Sequence, residues 1–445
     1  MSKSEQLKKE ILEKVKEYYD CTFKDEKEFE VGDRISYGGR VFDEDEMQNL
    51  VESALDFWLT NGRFNREFEK EFAKFLGVRF AYTVNSGSSA NLLAFMPLTS
   101  PLLKDRQVKR GDEVITVAAG FPTTIAPIIQ YGAVPVFVDV DLSLNIDEST
   151  LQNALSDKTK AVILAHTLGN PFNIKAVKEF CDKFNLWLIE DNCDSLGSTY
   201  NLDGDERKTG TFGDIGTSSF YPPHHMTMGE GGAVYTNNPL LAKIVLSLRD
   251  WGRDCSCASG EDNRCGRRFS GDYGLLPHGY DHKYVYSHFG YNLKITDMQA
   301  SIGCAQLKKI DEFTNRRREN FKYLYSLLEC VKDYLILPQV TENSNPSPFG
   351  FPIILKDEVS FKREDLTGFL EDNGIQTRLL FAGNITRQPC FDEYRGTDAY
   401  RISGELKNTD KIMNDAFWIG VYPKMTKSKL KYMAEKIIEF CKGKE

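Results

Sequence analysis

The chain has 445 residues, and 56 Lys and Arg against 65 Asp and Glu give a formal net charge of −9. That acidic balance, without a block of Lys or Arg, excludes a general nucleic-acid binder. No apolar run approaches the ~18 residues of a membrane span, and ten Cys are too few for a disulfide scaffold.

The N-terminus, MSKSEQLKKEILEKVKEYYD, is charged and helix-like, without the apolar stretch of a signal peptide. The expected compartment is therefore a reducing cytoplasm, where clustered Cys point to metal or redox chemistry. Next, Phe64, Phe68, Phe72 and Phe75 stand at spacings of four, four and three, an aromatic stripe on the core side of a helix. From 80 to 236, short apolar runs alternate with helical patterns. Strands are expected at Asp112–Val117, Val134–Asp139, Ala161–Ala165, Leu186–Glu190, Ile215–Phe220 and Gly232–Thr236, with a helix over Ile174–Phe184. Such alternation predicts an α/β unit with a mostly parallel sheet. Ligands bind beyond the carboxyl ends of such strands. Residues 250 to 290 are rich in Cys, Gly, Arg and Tyr and lack periodicity. A helical stretch over about Asp297–Leu328 and a mixed α/β remainder follow. The expected division is an N-terminal segment 1–57, a large domain 58–290 that includes a Cys-rich loop 249–290, and a smaller C-terminal domain 291–445.

Three segments carry chemistry. Asn85-Ser86-Gly87-Ser88-Ser89-Ala90-Asn91 opens an apolar helix. Gly and Ser at a helix N-terminus suit a phosphate, although Ser also caps many helices. Asp191 ends the apolar run Leu186–Glu190, where a carboxylate pairs with a protonated ring nitrogen or caps the next helix. Finally, Ser218-Ser219-Phe220-Tyr221-Pro222-Pro223-His224-His225 leads from a strand into the Gly-rich turn at Gly229–Gly232.

Together these segments resemble the DegT/DnrJ/EryC1/StrS family, the sugar aminotransferase branch of the fold-type I pyridoxal phosphate enzymes. The resemblance runs in order through SGSSANLLAF, GFPTTIAPIIQYGAVPVFVDVD, LGNPFN, EDNCDS, GDIGTSSFYP, GEGGAV and GYNLKITDMQASIG. It implies an aspartate aminotransferase-like fold. It makes Gly87, Ser88 and Ser219 phosphate donors, Phe121 the ring that stacks on the cofactor and Asp191 the partner of its ring nitrogen. Asp194 falls where relatives place a His or Gln near the phenolic oxygen. Asn292 matches a phosphate ligand given to a neighbouring subunit, which implies a homodimer with shared sites.

One departure is chemical. Relatives carry a Lys where His224 stands, and no Lys occurs between Lys208 and Lys243. A Lys amine tethers pyridoxal phosphate covalently; an imidazole forms no such stable bond but moves protons near neutral pH. His224 is then a general base beside non-covalently held pyridoxamine phosphate, and His225 its neighbour.

Cys255, Cys257 and Cys265 lie in the irregular segment, and Cys193 two residues past Asp191. Four thiolates hold zinc or an iron–sulfur cluster, or remain free. The other six Cys read as ordinary thiols. His224 with this set resembles the subgroup of the family that dehydrates CDP-4-keto-6-deoxy-D-glucose at C3. That resemblance implies pyridoxamine phosphate and a [2Fe-2S] cluster on Cys193, Cys255, Cys257 and Cys265. It also implies a separate NAD(P)H-dependent flavin and iron–sulfur reductase, and a place in making 3,6-dideoxyhexoses. The alternatives are a cluster-free ketosugar 3-dehydratase and a non-catalytic protein of the same fold. NLDGDERKTG, between Cys193 and Cys255, is expected in a surface hairpin.

Overall fold

The apolar runs form strands in the computed structural model, which describes residues 2–25 and 27–443. In chain order these are β1 (Phe80–Val84), β2 (Glu113–Val117), β3 (Val134–Val138), β4 (Thr159–Ala165), β5 (Trp187–Asp191), β6 (Thr199–Leu202), β7 (Asp205–Lys208), β8 (Ile215–Ser219) and β9 (Gly232–Thr236). The last third adds β10 (Leu335–Ile336), β11 (Ser344–Asn345), β12 (Gly350–Leu355), β13 (Arg401–Ile402) and β14 (Ala416–Gly420). An eight-stranded sheet has the order β1-β9-β8-β5-β4-β2-β3-β13. From β8 to β13 every neighbouring pair is parallel; β9 runs against both its neighbours. β2, β5, β8 and β9 are buried at every residue, as strands covered on both faces must be. All six expected strands are present within two residues at each end. β1 and the two-residue β13 went unread.

The helix Arg63–Leu76 buries Phe64, Phe68 and Phe72. Phe75 is half-buried at its flank, beneath the Lys208 ammonium. Ile174–Lys183 is helical as expected. The stretch expected as one helix is two, Asp297–Leu307 and Ile310–Leu328, broken at Lys308 and Lys309. NLDGDERKTG forms the β6–β7 hairpin, exposed at its tip, with Thr209 and Gly210 turned inward. The glycine there donates its N–H to the buried Glu190 carboxylate at 2.8 Å.

A second core lies where β12 is flanked by β10 and β14. The helices Ile310–Leu328, Arg363–Asp372 and Lys427–Lys442 pack there through Leu324, Leu328, Leu366, Leu370, Met433 and Ile437, and Ile35 joins from the N-terminal side. The chain then returns: Ile385, Phe391 and Leu406 pack against Ile125 and Phe137 beside the large sheet. Residues 250–290 contain one short 3₁₀ turn, His282–Tyr284. Polar staples hold this loop, with Arg268 bidentate on Asp281 at 3.0 and 2.8 Å and Lys283 on Asp262 at 2.9 Å. Among the described residues no helix is long and apolar enough to cross a membrane.

Candidate active site

β1, β5 and β8 end on the same side of the sheet, and the segments that follow them enclose a cavity of about 570 Å³. Gly87, Ser88, Phe121, Asp191, Cys193, Asp194, Ser219 and His224 all line it.

The helix Gly87–Phe95 starts at the cavity wall. Ser86 caps it, its hydroxyl accepting from the Ser89 N–H at 3.1 Å. The remaining first-turn N–H groups and the positive end of the helix dipole face an anion. Gly87 is required by contact: a Cβ there would lie 2.4 Å from the Ser219 Cβ and 2.7 Å from its Oγ. The absent side chain lets β8 bring the Ser219 hydroxyl against the helix N-terminus. Backbone N–H groups and two hydroxyls in such a cradle fit a phosphate.

Asp191 ends β5 and is surrounded by donors. The Asn91 amide and the Thr124 hydroxyl each donate to its Oδ2 at 2.7 Å. The Cys193 N–H donates to Oδ1 at 3.1 Å, and the Thr217 hydroxyl oxygen approaches it to 3.4 Å. Thr217 donates to the Asn91 carbonyl oxygen at 2.8 Å, which fixes the amide with its NH₂ toward the carboxylate. Three donors, the Asn91 amide, the Thr124 hydroxyl and the Cys193 N–H, aim this carboxylate. Phe121 stands before the helix Pro122–Tyr131, half-exposed over the cavity, with Phe381 edge-on at 5.9 Å. A phosphate cradle, an open aromatic face and a buried carboxylate fit a phosphorylated pyridine.

His224 lies on the turn after β8. Its N–H donates to the Tyr221 carbonyl at 2.9 Å, and its ring stacks on Phe349 at 5.0 Å and 28°. Nδ1 has no hydrogen-bond partner and stands 3.6 Å from Asp194 Oδ1. Burial, then the Arg317 charge, pushes the His224 pKa down to about 4. Burial, then the Asp191 charge, pushes Asp194 up to about 8. Both groups are thus neutral near pH 7, and their approach is not an ion pair. A neutral imidazole with an unpartnered ring nitrogen can accept a proton. His225 faces the other way: its Nε2 bonds the Ser347 carbonyl at 2.8 Å, and burial holds its pKa well below the usual range.

The four selected thiols are not brought together. Cys193 lines the cavity, and burial followed by the Asp191 charge raises its pKa far above the usual thiol range. Cys255 lies beside Cys257 on the outer loop. Cys265 is exposed, 3.6 Å from His282 Nδ1, which lowers its pKa; His282 Nε2 bonds Asp254 at 2.8 Å. Among the described residues no three His, Cys, Asp or Glu are placed to hold one metal ion. Cys193 thus belongs to the cavity wall and Cys265 to the surface of the loop, and no step is derived through the four thiols. Asn292 is exposed, away from this protomer's cavity, and accepts from Lys294 at 2.7 Å. Of the other six, Cys181, Cys304 and Cys441 are buried and Cys21, Cys330 and Cys390 exposed.

Several residues at this site had no role in the sequence reading. Asn91 and Thr124 orient Asp191, and Phe349 backs His224. Tyr37 and Trp418 line the far wall with Arg378, whose guanidinium sits 4.0 Å over the Tyr37 ring. Arg378 is the only Arg or Lys lining the cavity among the described residues.

Residues 41–438 match the model of the DegT/DnrJ/EryC1/StrS aminotransferase family. The chain is 57% identical over 403 residues to the lipopolysaccharide biosynthesis protein RfbH of Salmonella typhimurium, covering 90% of each chain. It is 51% identical over 407 residues to a dTDP-4-dehydro-2,6-dideoxy-D-glucose 3-dehydratase of Saccharopolyspora spinosa, covering 91% of this chain and 86% of that one. It superposes on the E. coli GDP-4-keto-6-deoxy-D-mannose-3-dehydratase with bound hydrated PLP at a TM-score of 0.80 and 29% identity, covering 90% of this chain and 98% of that one. With its fold-type I architecture and its cradle, aromatic face and carboxylate in family order, the chain belongs to the DegT/DnrJ/EryC1/StrS aminotransferase family.

Proposed function

We propose that the protein is a pyridoxamine phosphate-dependent dehydratase that removes the C3 hydroxyl of a nucleotide-linked 4-keto-6-deoxyhexose. The observation that carries this reading is a neutral His224 facing the cavity in place of the family's lysine, with the Asp191 clamp intact. Two relatives are named as 3-dehydratases of dTDP- and GDP-linked sugars, which supports the reaction class.

Bound pyridoxamine phosphate supplies an amine for the C4 ketone and a ring that takes up the electron pair left when its methylene loses a proton. The chain's residues do the rest. Gly87, Ser88 and Ser219 bind the phosphate, Phe121 covers the ring, and Asp191 holds the proton on the ring nitrogen. Protonated Asp194 is a donor toward the phenolic oxygen, the part a His or Gln plays in relatives. His224 takes the methylene proton and gives one to the departing C3 hydroxyl.

The finer reading makes the substrate CDP-4-keto-6-deoxy-D-glucose. It adds a [2Fe-2S] cluster on Cys193, Cys255, Cys257 and Cys265, a partner reductase and a cytoplasmic homodimer in which Asn292 reaches the neighbour's phosphate. It keeps the division at residues 57 and 290. The sequence resemblance alone supports it, and no step is routed through the thiols.

Anaerobically purified protein, studied by absorption, EPR and iron and sulfide analysis, tests both levels. The expected result is a pyridoxamine-type spectrum, two iron and two sulfide per protomer, and loss of the CDP-ketosugar on mixing. Protein without iron that still dehydrates the sugar returns the chain to the cluster-free alternative. Borohydride fixation of pyridoxal phosphate to any lysine sinks the role of His224.

A further inference from the structure

The helix Ile310–Leu328 carries Arg317, which is only 1% exposed. Among the described residues no carboxylate lies within ion-pair reach of it. Its guanidinium instead donates to four backbone carbonyls: Nη1 to Pro348 at 3.2 Å and Phe349 at 3.3 Å, Nη2 to Pro223 at 3.3 Å and His224 at 3.1 Å. Nε has no partner. Burying a charge this way is unfavourable and needs a compensating arrangement. A fold that only needed to fill this volume would do so better with an apolar side chain.

The four carbonyls belong to two segments with one thing in common. Pro223 and His224 form the turn that carries the imidazole. Pro348 and Phe349 carry the ring stacked on that imidazole. One rigid planar group therefore sets the base and the wall behind it. We propose that Arg317 is the positioning residue of the His224 imidazole, fixing its approach to the cavity through the backbone and through Phe349. This rests on the reading of His224 as the base.

The same cation acts through space. The groups facing His224 are Asp194 and Asp191 from the end of β5, Phe349, the adjacent His225, and Arg317 below. Of the charged groups, Arg317 favours the neutral imidazole and Asp191 opposes it. Arg317 thus supports both the place and the protonation state of the base.

Three variants separate this role from a general structural one. Arg317→Met removes clamp and charge, Arg317→Lys keeps the charge but loses the fork, and His224→Ala removes the base. In Arg317→Met, cofactor absorption and the KM for the nucleotide sugar are expected to stay within about threefold. kcat falls about 10²-fold, the scale of a misplaced catalytic group, and the acid limb of the pH profile moves up in part, because burial continues to hold it low. In Arg317→Lys, kcat falls similarly while the acid limb stays low. Combining Arg317→Met with His224→Ala lowers kcat no further than His224→Ala alone, because the arginine acts through the histidine. A folded Arg317→Met or Arg317→Lys with wild-type kcat overturns the proposal, as does a double variant whose loss is the product of the two single losses. If Arg317→Met does not fold, the lysine variant decides. If His224→Ala keeps full turnover, the reading of the base has failed, a result distinct from failure of the Arg317 variants.

Discussion

His224→Ala is expected to lower kcat by about 10²–10⁴-fold, the range for loss of a general base, while bound cofactor and the KM for the sugar change little. The turn that carries residue 224 is held through backbone carbonyls and the N–H to Tyr221, none of which needs the side chain. Losing the stack on Phe349 costs about 0.5–1.5 kcal/mol, partly offset because the unpartnered Nδ1 leaves with it. Stopped-flow absorbance of cofactor mixed with ketosugar should show binding without the slow spectral change of proton transfer. In the wild type, the His224 pKa near 4 means that the active neutral imidazole prevails above that pH. The acid limb of kcat/KM assigned to it should lie near 4, not at the ordinary 6.5. Full turnover by the alanine variant would remove this histidine from the mechanism.

Asp191→Ala should have the largest effect on cofactor affinity. It removes the partner of the ring nitrogen, a hydrogen bond to a charged group of about 1.5–3 kcal/mol, or about ten- to a hundred-fold in Kd. It also strands Asn91 Nδ2 and the Thr124 hydroxyl, both buried. Buried donors left unpaired cost about 1–3 kcal/mol each, so the apo protein loses thermal stability as well. Asp191→Asn keeps the volume but turns an NH₂ toward a group of donors, and the clamp then lacks its negative charge. Titration with pyridoxamine phosphate and melting of the apo protein measure the two effects separately. A variant with unchanged Kd would show that the ring nitrogen sits elsewhere.

Most of the large sheet was legible because short apolar runs such as Val134–Val138 and Ala161–Ala165 alternate with helical patterns, a signal that survives without knowledge of neighbours. β1 escaped because Phe80–Val84 mixes half-buried and buried positions, and β13 because two residues carry no period. The break at Lys308 and Lys309 escaped because neither residue is a helix breaker. At the site, Asp191 and Gly87 could be read from their places at a strand end and a helix start. Their supports could not: Asn91 and Thr124 look like any polar residue of a helix. Arg317, in a charged run on an amphipathic helix, reads as solvent-facing although it is buried. The thiols offered the sequence only their spacing. Their spacing reads as one set, while the chain path puts Cys193 in the cavity and Cys265 on the surface.

No lysine lines the cavity among the described residues. If the proposed reading holds and the cofactor has no covalent tether, it is an exchangeable ligand whose occupancy follows its free concentration. Dilution and dialysis then act on the enzyme as inhibitors do. Its melting temperature becomes a gauge of the surrounding cofactor pool, rising with about 2.7 kcal/mol of linkage at a hundredfold excess over Kd. On that reading the chain must be kept loaded, and its activity in a cell reports cofactor supply as much as amount of protein.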